Sequence, residues 1–206
     1  VVVTPEGKYL ELFPSRFEEG FVTIDLDSLP ALSPIPTKED FDITAEAVVN
    51  GVRGFLNKLN LTRVVVGVSG GIDSAVTAAL YGSILPPEDL LLVGMPGPFT
   101  SQTTRNLGQE LAKNLGARFF EIPIKESVDL TCRQFSELIS KGPGGGVAGA
   151  WELSSFAIEN VQARERTKIL MNLANKTGGM VVGTGDLSEI ALGWATYNGD
   201  HMSMYG

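Results

Sequence analysis

The sequence predicts an α/β protein: a doubly wound parallel sheet with helices on both faces. Three observations lead there. From Asp42 onward, short β-branched runs alternate with segments of helical periodicity, the pattern of a parallel sheet with crossover helices. The run Val64–Val68 passes through Ser69-Gly70-Gly71 directly into the apolar helix pattern Ala75–Leu80. A hydrophobic share of 43% in 206 residues is enough to build a core.

Taken in order, residues 1–30 read differently from the rest. Val1–Val3, a Pro5-Glu6-Gly7 turn and Tyr9–Phe13 predict a hairpin, and Phe21–Leu26 predicts a further strand. Residues 31–41, with prolines at 34 and 36 after Pro30, read as a stiff linker. Val48, Val49, Val52, Phe55, Leu56 and Leu59 recur at helical spacing and predict a helix over 45–59. Strand 64–68, helix 74–84, strand 90–95 and helix 103–115 follow, the last stopped by Gly116. Then come strand 117–122, helix 128–140, a glycine-rich loop over 142–146 and a long helix over 156–177 capped by Gly178-Gly179. Met180–Gly185 predicts a last strand and turn. Ligands in such sheets bind beyond the carboxyl ends of the strands. Ser69–Ser74, Met95–Pro98 and Thr184–Glu189 all follow strand ends and are expected to converge on one cleft.

The turn Ser69-Gly70-Gly71-Ile72-Asp73-Ser74 carries the sharpest chemistry. Glycines permit positive φ and close approach of the backbone to a ligand. The following helix presents free N–H groups and the positive end of its dipole. Ser69 and Ser74 add hydroxyl donors. This is a site for phosphate or pyrophosphate. Asp73 would repel such an anion unless a divalent cation bridged the two, so nucleotide and metal are implied together. The stretch lacks the lysine of a G-x-x-x-x-G-K-[ST] loop. Gly67-Val68-Ser69-Gly70-Gly71 also fits the G-x-S-x-G nucleophile elbow. In that reading Ser69 is a hydrolase nucleophile and His201, the single histidine, its base. A plain packing turn is the third reading.

A formal charge of −8 argues against broad nucleic-acid binding. One cysteine, Cys132, allows no intrachain disulfide and fits a reducing cytoplasm; its expected role is a small apolar filler. No signal peptide is visible, and no apolar run is long enough to span a membrane. The first residue is valine rather than methionine and Gly206 falls within a patterned segment, so both ends are expected to be cut from a longer chain.

Ser69-Gly70-Gly71-Ile72-Asp73-Ser74 resembles the SGGxDS pyrophosphate loop of the N-type ATP pyrophosphatases, a Rossmann-like group that includes NAD, GMP and asparagine synthetases. Gly183–Asp200 resembles the second signature of NAD synthetases, particularly the glutamine-dependent kind, and Glu159–Arg166 resembles their substrate-binding helix. Residues 1–30 resemble the last strands of a nitrilase-like glutaminase domain, which would place residues 42–206 in the synthetase domain.

The resemblance implies ATP-dependent amidation of deamido-NAD through an adenylate. ATP would be held by Gly67, Ser69, Gly70, Gly71, Asp73, Ser74 and Thr184. Mg2+ would be held by Asp73 and Glu189; the other reading of Glu189 is a helix cap. Deamido-NAD would meet Asn160, Glu189, Trp194, Ala195, Thr196, Tyr197 and Asp200. Arg164 would pair with a phosphate or stand exposed, Met95–Pro98 would touch adenine through backbone, and His201 would be structural. A homodimer is implied, with the apolar excess of helix 156–177 as an interface, and an ammonia-donating domain upstream. The family continues beyond this point with a mobile loop and a substrate lysine, so this chain by itself is expected to be inactive or crippled. An ammonia-only enzyme and a nucleotide-binding fragment without turnover are the remaining readings.

Overall fold

The computed structural model describes residues 2–10, 17, 19–21, 23–25, 27, 33–34, 41–141 and 153–206. The chain divides into two compact units, Val1–Phe55 and Leu56–Gly206.

In the first unit, strands β1 (Val2–Val3), β2 (Lys8–Leu10) and β3 (Ser33–Pro34) form an antiparallel sheet in that order. Gly7, at φ 74°, closes the β1–β2 hairpin, its N–H donating to the Thr4 carbonyl at 3.0 Å. The predicted hairpin is therefore present, with residues 11–13 outside the described residues. The predicted strand over 21–26 is not: Phe21, Thr23, Ile24 and Asp25 lie in no strand. Phe21 is 96% exposed, so its apolar alternation has no face to cover. Ser33–Pro34, read as linker, pairs with β2 instead. A proline is tolerated on such an edge strand. Helix α1 (Phe41–Leu59) starts earlier than predicted and ends at Asn60, whose φ of 55° is the left-handed stop.

The second unit holds the parallel sheet. Its strands are β4 (Val64–Val68), β5 (Leu90–Gly94), β6 (Arg118–Glu121) and β7 (Met180–Val182). They lie in the order β6-β5-β4-β7, all parallel. The chain thus winds outward from β4 to β6 and then returns to β4's other side. The order reverses between β4 and β7, and that is where such sheets open a ligand crevice.

Helices α2 (Ile72–Gly82) and α3 (Gln102–Leu115) pack together over β4, β5 and β6. Helices α4 (Lys125–Lys141) and α5 (Ser155–Thr177) pair on the other face, α5 lying on β4 and β7. Both boundaries and order match the prediction to within a few residues. Val64–Val66, Leu90–Val93 and Met180–Val182 are buried. Strands covered on both faces read as unbroken apolar runs. Residues 142–146, the predicted loop, lie outside the described residues.

Side-chain parity divides the core. Val65, Leu91, Val93 and Val181 face α4 and α5, where Ile158, Val161, Ile169, Leu170 and Leu173 pack on them. The apolar excess of α5, read as an interface, is thus largely consumed inside the unit. α5 serves two neighbours, strand and helix, and needs a wider stripe than one face; Phe156, in its first turn, stays 71% exposed. Cys132 is half-buried against this same cluster. Glu165 ties α5 to α4: it pairs with Lys168, and Thr131 donates to it at 3.4 Å. Burial pushes its carboxyl up, but hydrogen bonds from Lys168, Ser127 and Thr131 outweigh that and hold it below the usual range. Among the described residues no helix is long and apolar enough to cross a membrane.

Candidate functional site

The β4–α2 turn is built by glycine and serine in specific ways. Gly70 sits at φ 81°, and a Cβ there would lie 2.9 Å from both the methyl and the carbonyl oxygen of Thr104 on α3. Glycine is therefore required twice, for conformation and for space. Gly71 is the N-cap of α2 with no side-chain cap, so the first N–H groups of the helix remain available to an anion. The serines differ. Ser74 is 2% exposed. Its hydroxyl donates to the Gly71 carbonyl at 3.1 Å and accepts from the Ser69 N–H at 3.3 Å. In this structure its hydroxyl braces the loop from inside. Ser69 Oγ accepts from the Gly71 N–H at 3.2 Å and is exposed. Asp73 is exposed in the first turn of α2, without a hydrogen-bond partner among the described residues.

The serine-hydrolase arrangement is not formed. Ser69 meets Gly71 and Ser74, while His201 Nδ1 lies 2.5 Å from the Thr196 carbonyl and its ring stacks on Tyr197 at 5.9 Å. A nucleophile elbow also needs a strained serine. Among the described residues only Asn60 and Asn198 carry positive φ without being glycine.

A cleft of about 470 Å3 opens beside this turn, within the range of small-ligand pockets. Ser69 and Gly67 at the end of β4, Met95 and Pro96 after β5, and Thr184 after β7 all line it. The predicted convergence of three strand ends is thus present. Gly70, Gly71, Asp73 and Ser74 lie off its wall. So do Asn160, Glu189, Trp194, Ala195 and Tyr197, whereas Thr196 and Asp200 line it.

The backbone after β5 is already engaged. The carbonyls of Gly94, Met95 and Pro96 accept from the Ile122 N–H at 2.9 Å, Arg166 Nε at 3.2 Å and the Ile124 N–H at 3.1 Å. That limits the expected backbone reading of a base at Met95–Pro98. Burial pulls the Arg166 guanidinium below its ordinary range while Asp200 opposes the shift; it stays a cation at neutral pH. Arg105 and, opposite it, Glu121 line the cleft and were missed by motif reading, whereas Arg166 closes the Glu159–Arg166 segment but was given no role. Arg105 and Glu121 come from a helix and a strand end with no motif around them.

The second signature folds as predicted into a turn and a short helix, α6 (Leu187–Leu192). Asp186 is its N-cap, and Glu189 completes a capping box: Glu189 N–H donates to Asp186 at 2.8 Å and Asp186 N–H to Glu189 Oε2 at 3.1 Å. The capping role is real, and it leaves Glu189's other oxygen uncommitted. Beyond α6, helix α5 holds the chain by side chains. Thr196 Oγ1 donates to Asn160 at 2.8 Å, Arg164 Nε to the Tyr197 carbonyl at 3.1 Å, and Thr167 Oγ1 to the Gly199 carbonyl at 2.6 Å. Asp200 accepts from the Thr196 N–H at 2.7 Å. Asn160, Thr196, Tyr197 and Asp200, predicted from separate segments, are therefore brought together. Trp194 and Tyr197 stand 76% and 74% exposed. Arg164 is exposed and gives its Nε to this anchor.

Comparison with known proteins places this arrangement. The family model described as NAD synthase matches residues 44–204, most of the chain. The chain belongs to the NAD synthase family. A glutamine-dependent NAD(+) synthetase of Mycobacterium leprae is 39% identical over 164 residues, 76% of this chain and 23% of that protein. One from Rhodobacter capsulatus is 33% identical across 99% of this chain and 36% of its own length. The glutamine-dependent NAD+ synthetase of Acinetobacter baumannii, solved with ADP, superposes with a TM-score of 0.73 at 29% identity over 84% of this chain and 31% of that one. The chain thus spans about a quarter to a third of the length of these NAD synthase relatives. Its sheet is of the N-type ATP pyrophosphatase kind.

Proposed function

We propose that this chain carries the ATP-binding and adenylating part of a glutamine-dependent NAD synthetase. The observation that carries the reading is the cleft at the strand-order reversal. There Ser69, after β4, and Thr184, after β7, line one space beside the uncapped N-terminus of α2. The relatives' names supply the substrate class.

In this reading the carboxylate oxygen of deamido-NAD attacks the α-phosphorus of ATP. The bond from that phosphorus to the β-bridging oxygen breaks, and pyrophosphate leaves. Ammonia then adds at the acyl carbon and AMP departs, giving NAD. The loop N–H groups, Ser69 and Thr184 hold the phosphates, where donors aimed at developing charge are most effective. Thr196 and Asp200, on the cleft wall, would meet deamido-NAD, with Asn160, Tyr197, Trp194, Ala195 and Glu189 beside it.

Two carboxylates suit magnesium. Among the described residues no three acidic, histidine or cysteine side chains converge, and Mg2+ characteristically takes one or two carboxylates and completes its shell with water and phosphate. Asp73 and the uncommitted oxygen of Glu189 would hold it, where it would neutralise charge on the leaving pyrophosphate. Ammonia would come from a glutaminase domain preceding residue 42, of which residues 1–30 would be the last strands. The working assembly would be a homodimer in the cytoplasm.

ATP–pyrophosphate exchange, measured with Mg2+ and with or without deamido-NAD, tests this reading. Exchange that requires deamido-NAD supports it. ATP binding without exchange would reduce the chain to a nucleotide-binding piece, and absence of both would remove the phosphate-loop reading.

A further inference from the structure

The cleft has an end that the phosphate loop does not explain. Arg105 on α3 and Glu121 at the tip of β6 face each other there, 3.4 Å apart between Nη2 and Oε1. That separation is long for an ion pair with hydrogen-bond character. Arg105 Nε is buried and meets no partner among the described residues. A buried donor left unpaired is costly, which favours a ligand acceptor opposite it. An aromatic residue, Phe119, lines the cleft with them. Phe119 lies against Gly94, where a Cβ would come within 2.9 Å of the ring, and both line the cleft.

The charge pattern selects the ligand group. A phosphate beside Arg105 would also face the Glu121 carboxylate and be repelled by it. A flat ring with an N–H donor next to a ring-nitrogen acceptor suits both partners and can lie on Phe119. Adenine's amino group and neighbouring ring nitrogen have that pattern. The Gly94, Met95 and Pro96 carbonyls each already accept one bond within the protein, and the Glu121 carboxylate is the stronger acceptor for the amino group.

We infer that Arg105 and Glu121 are the base-reading residues of this cleft, Glu121 accepting from the adenine amino group and Arg105 donating to the ring nitrogen. The inference rests on the nucleotide reading above.

The test compares binding of ATP and purine riboside triphosphate, which lacks the amino group, to this chain. Wild type should prefer ATP by about tenfold or more, the weight of one hydrogen bond to a charged group. Glu121→Ala should bring that ratio close to one while scarcely changing affinity for the analogue, and Glu121→Gln should restore part of it. A residue that only supports the fold would weaken both ligands equally. That outcome, or a wild type indifferent to the amino group, overturns the assignment while leaving ATP binding intact. A wild type that binds neither triphosphate overturns the nucleotide reading, and the assignment with it.

Discussion

The two strand–turn–helix segments of the site are built on opposite plans. The turn after β4 is self-contained: Ser69, Gly71 and Ser74 bond to one another, and the groups left over are backbone N–H and the Asp73 carboxylate. The segment after β7 is held from outside, with Asn160, Arg164 and Thr167 of α5 fixing residues 196–199. The first plan offers a rigid anion cradle with no choice of side chain. The second places exchangeable side chains against a helix, the arrangement that can discriminate between substrates.

The sharpest break of this contrast is Gly70→Ala. The left-handed backbone and the Thr104 contact should together cost roughly 2 kcal/mol or more and abolish ATP binding. Urea denaturation and nucleotide titration check both; unchanged ATP binding would mean that the cradle tolerates movement. Next comes Thr167→Val, which leaves the buried Gly199 carbonyl without its donor and should cost about 1–3 kcal/mol. If the second segment works as described, the KM for deamido-NAD rises well above any change for ATP.

Glu165→Gln probes the helix that carries this anchor. Hydrogen bonds hold the folded carboxyl below its unfolded pKa, so it adds stability above that value and loses it as pH falls through the folded one. The variant should lose about 1 kcal/mol at pH 7 and flatten the acid limb of the stability curve. The smallest effect is expected at Tyr81, on the helix behind the cradle. Burial, then Tyr205, pushes its phenol up to about 12, and its hydroxyl meets no hydrogen-bond partner among the described residues. A raised pKa means full stability below the unfolded value near 10 and loss as pH climbs toward 12. Tyr81→Phe should match wild type at pH 7 and outlast it at pH 11 in thermal unfolding.

The same contrast decides what could be read from sequence. The parallel sheet was legible because β4 and β5 are apolar on both faces and their helices carry clear periodicity. The cradle was legible because its function sits in backbone geometry, which glycines announce. Glu189 carried two readings because a cap and a metal ligand take the same residue type at the same place; the capping box uses one of its oxygens and leaves the other open. Arg105 and Glu121 were invisible because their neighbours come from other strands and helices. The strand expected over 21–26 failed for a related reason: alternation marks a surface, and only a partner strand makes it a sheet.

Register within the sheet has a further consequence, for assembly. Val64 pairs with Met180 across most of the chain, whereas β4, β5 and β6 follow one another closely. Closing the longest loop is the slow, entropically costly event in such a topology. The β4–β5 half can therefore organise early, while Thr184 and the α5-held wall arrive when β7 docks. During refolding the wall for the second substrate should be the last part of the cleft to appear, so a half-formed protein would hold a bare phosphate cradle with nothing to react.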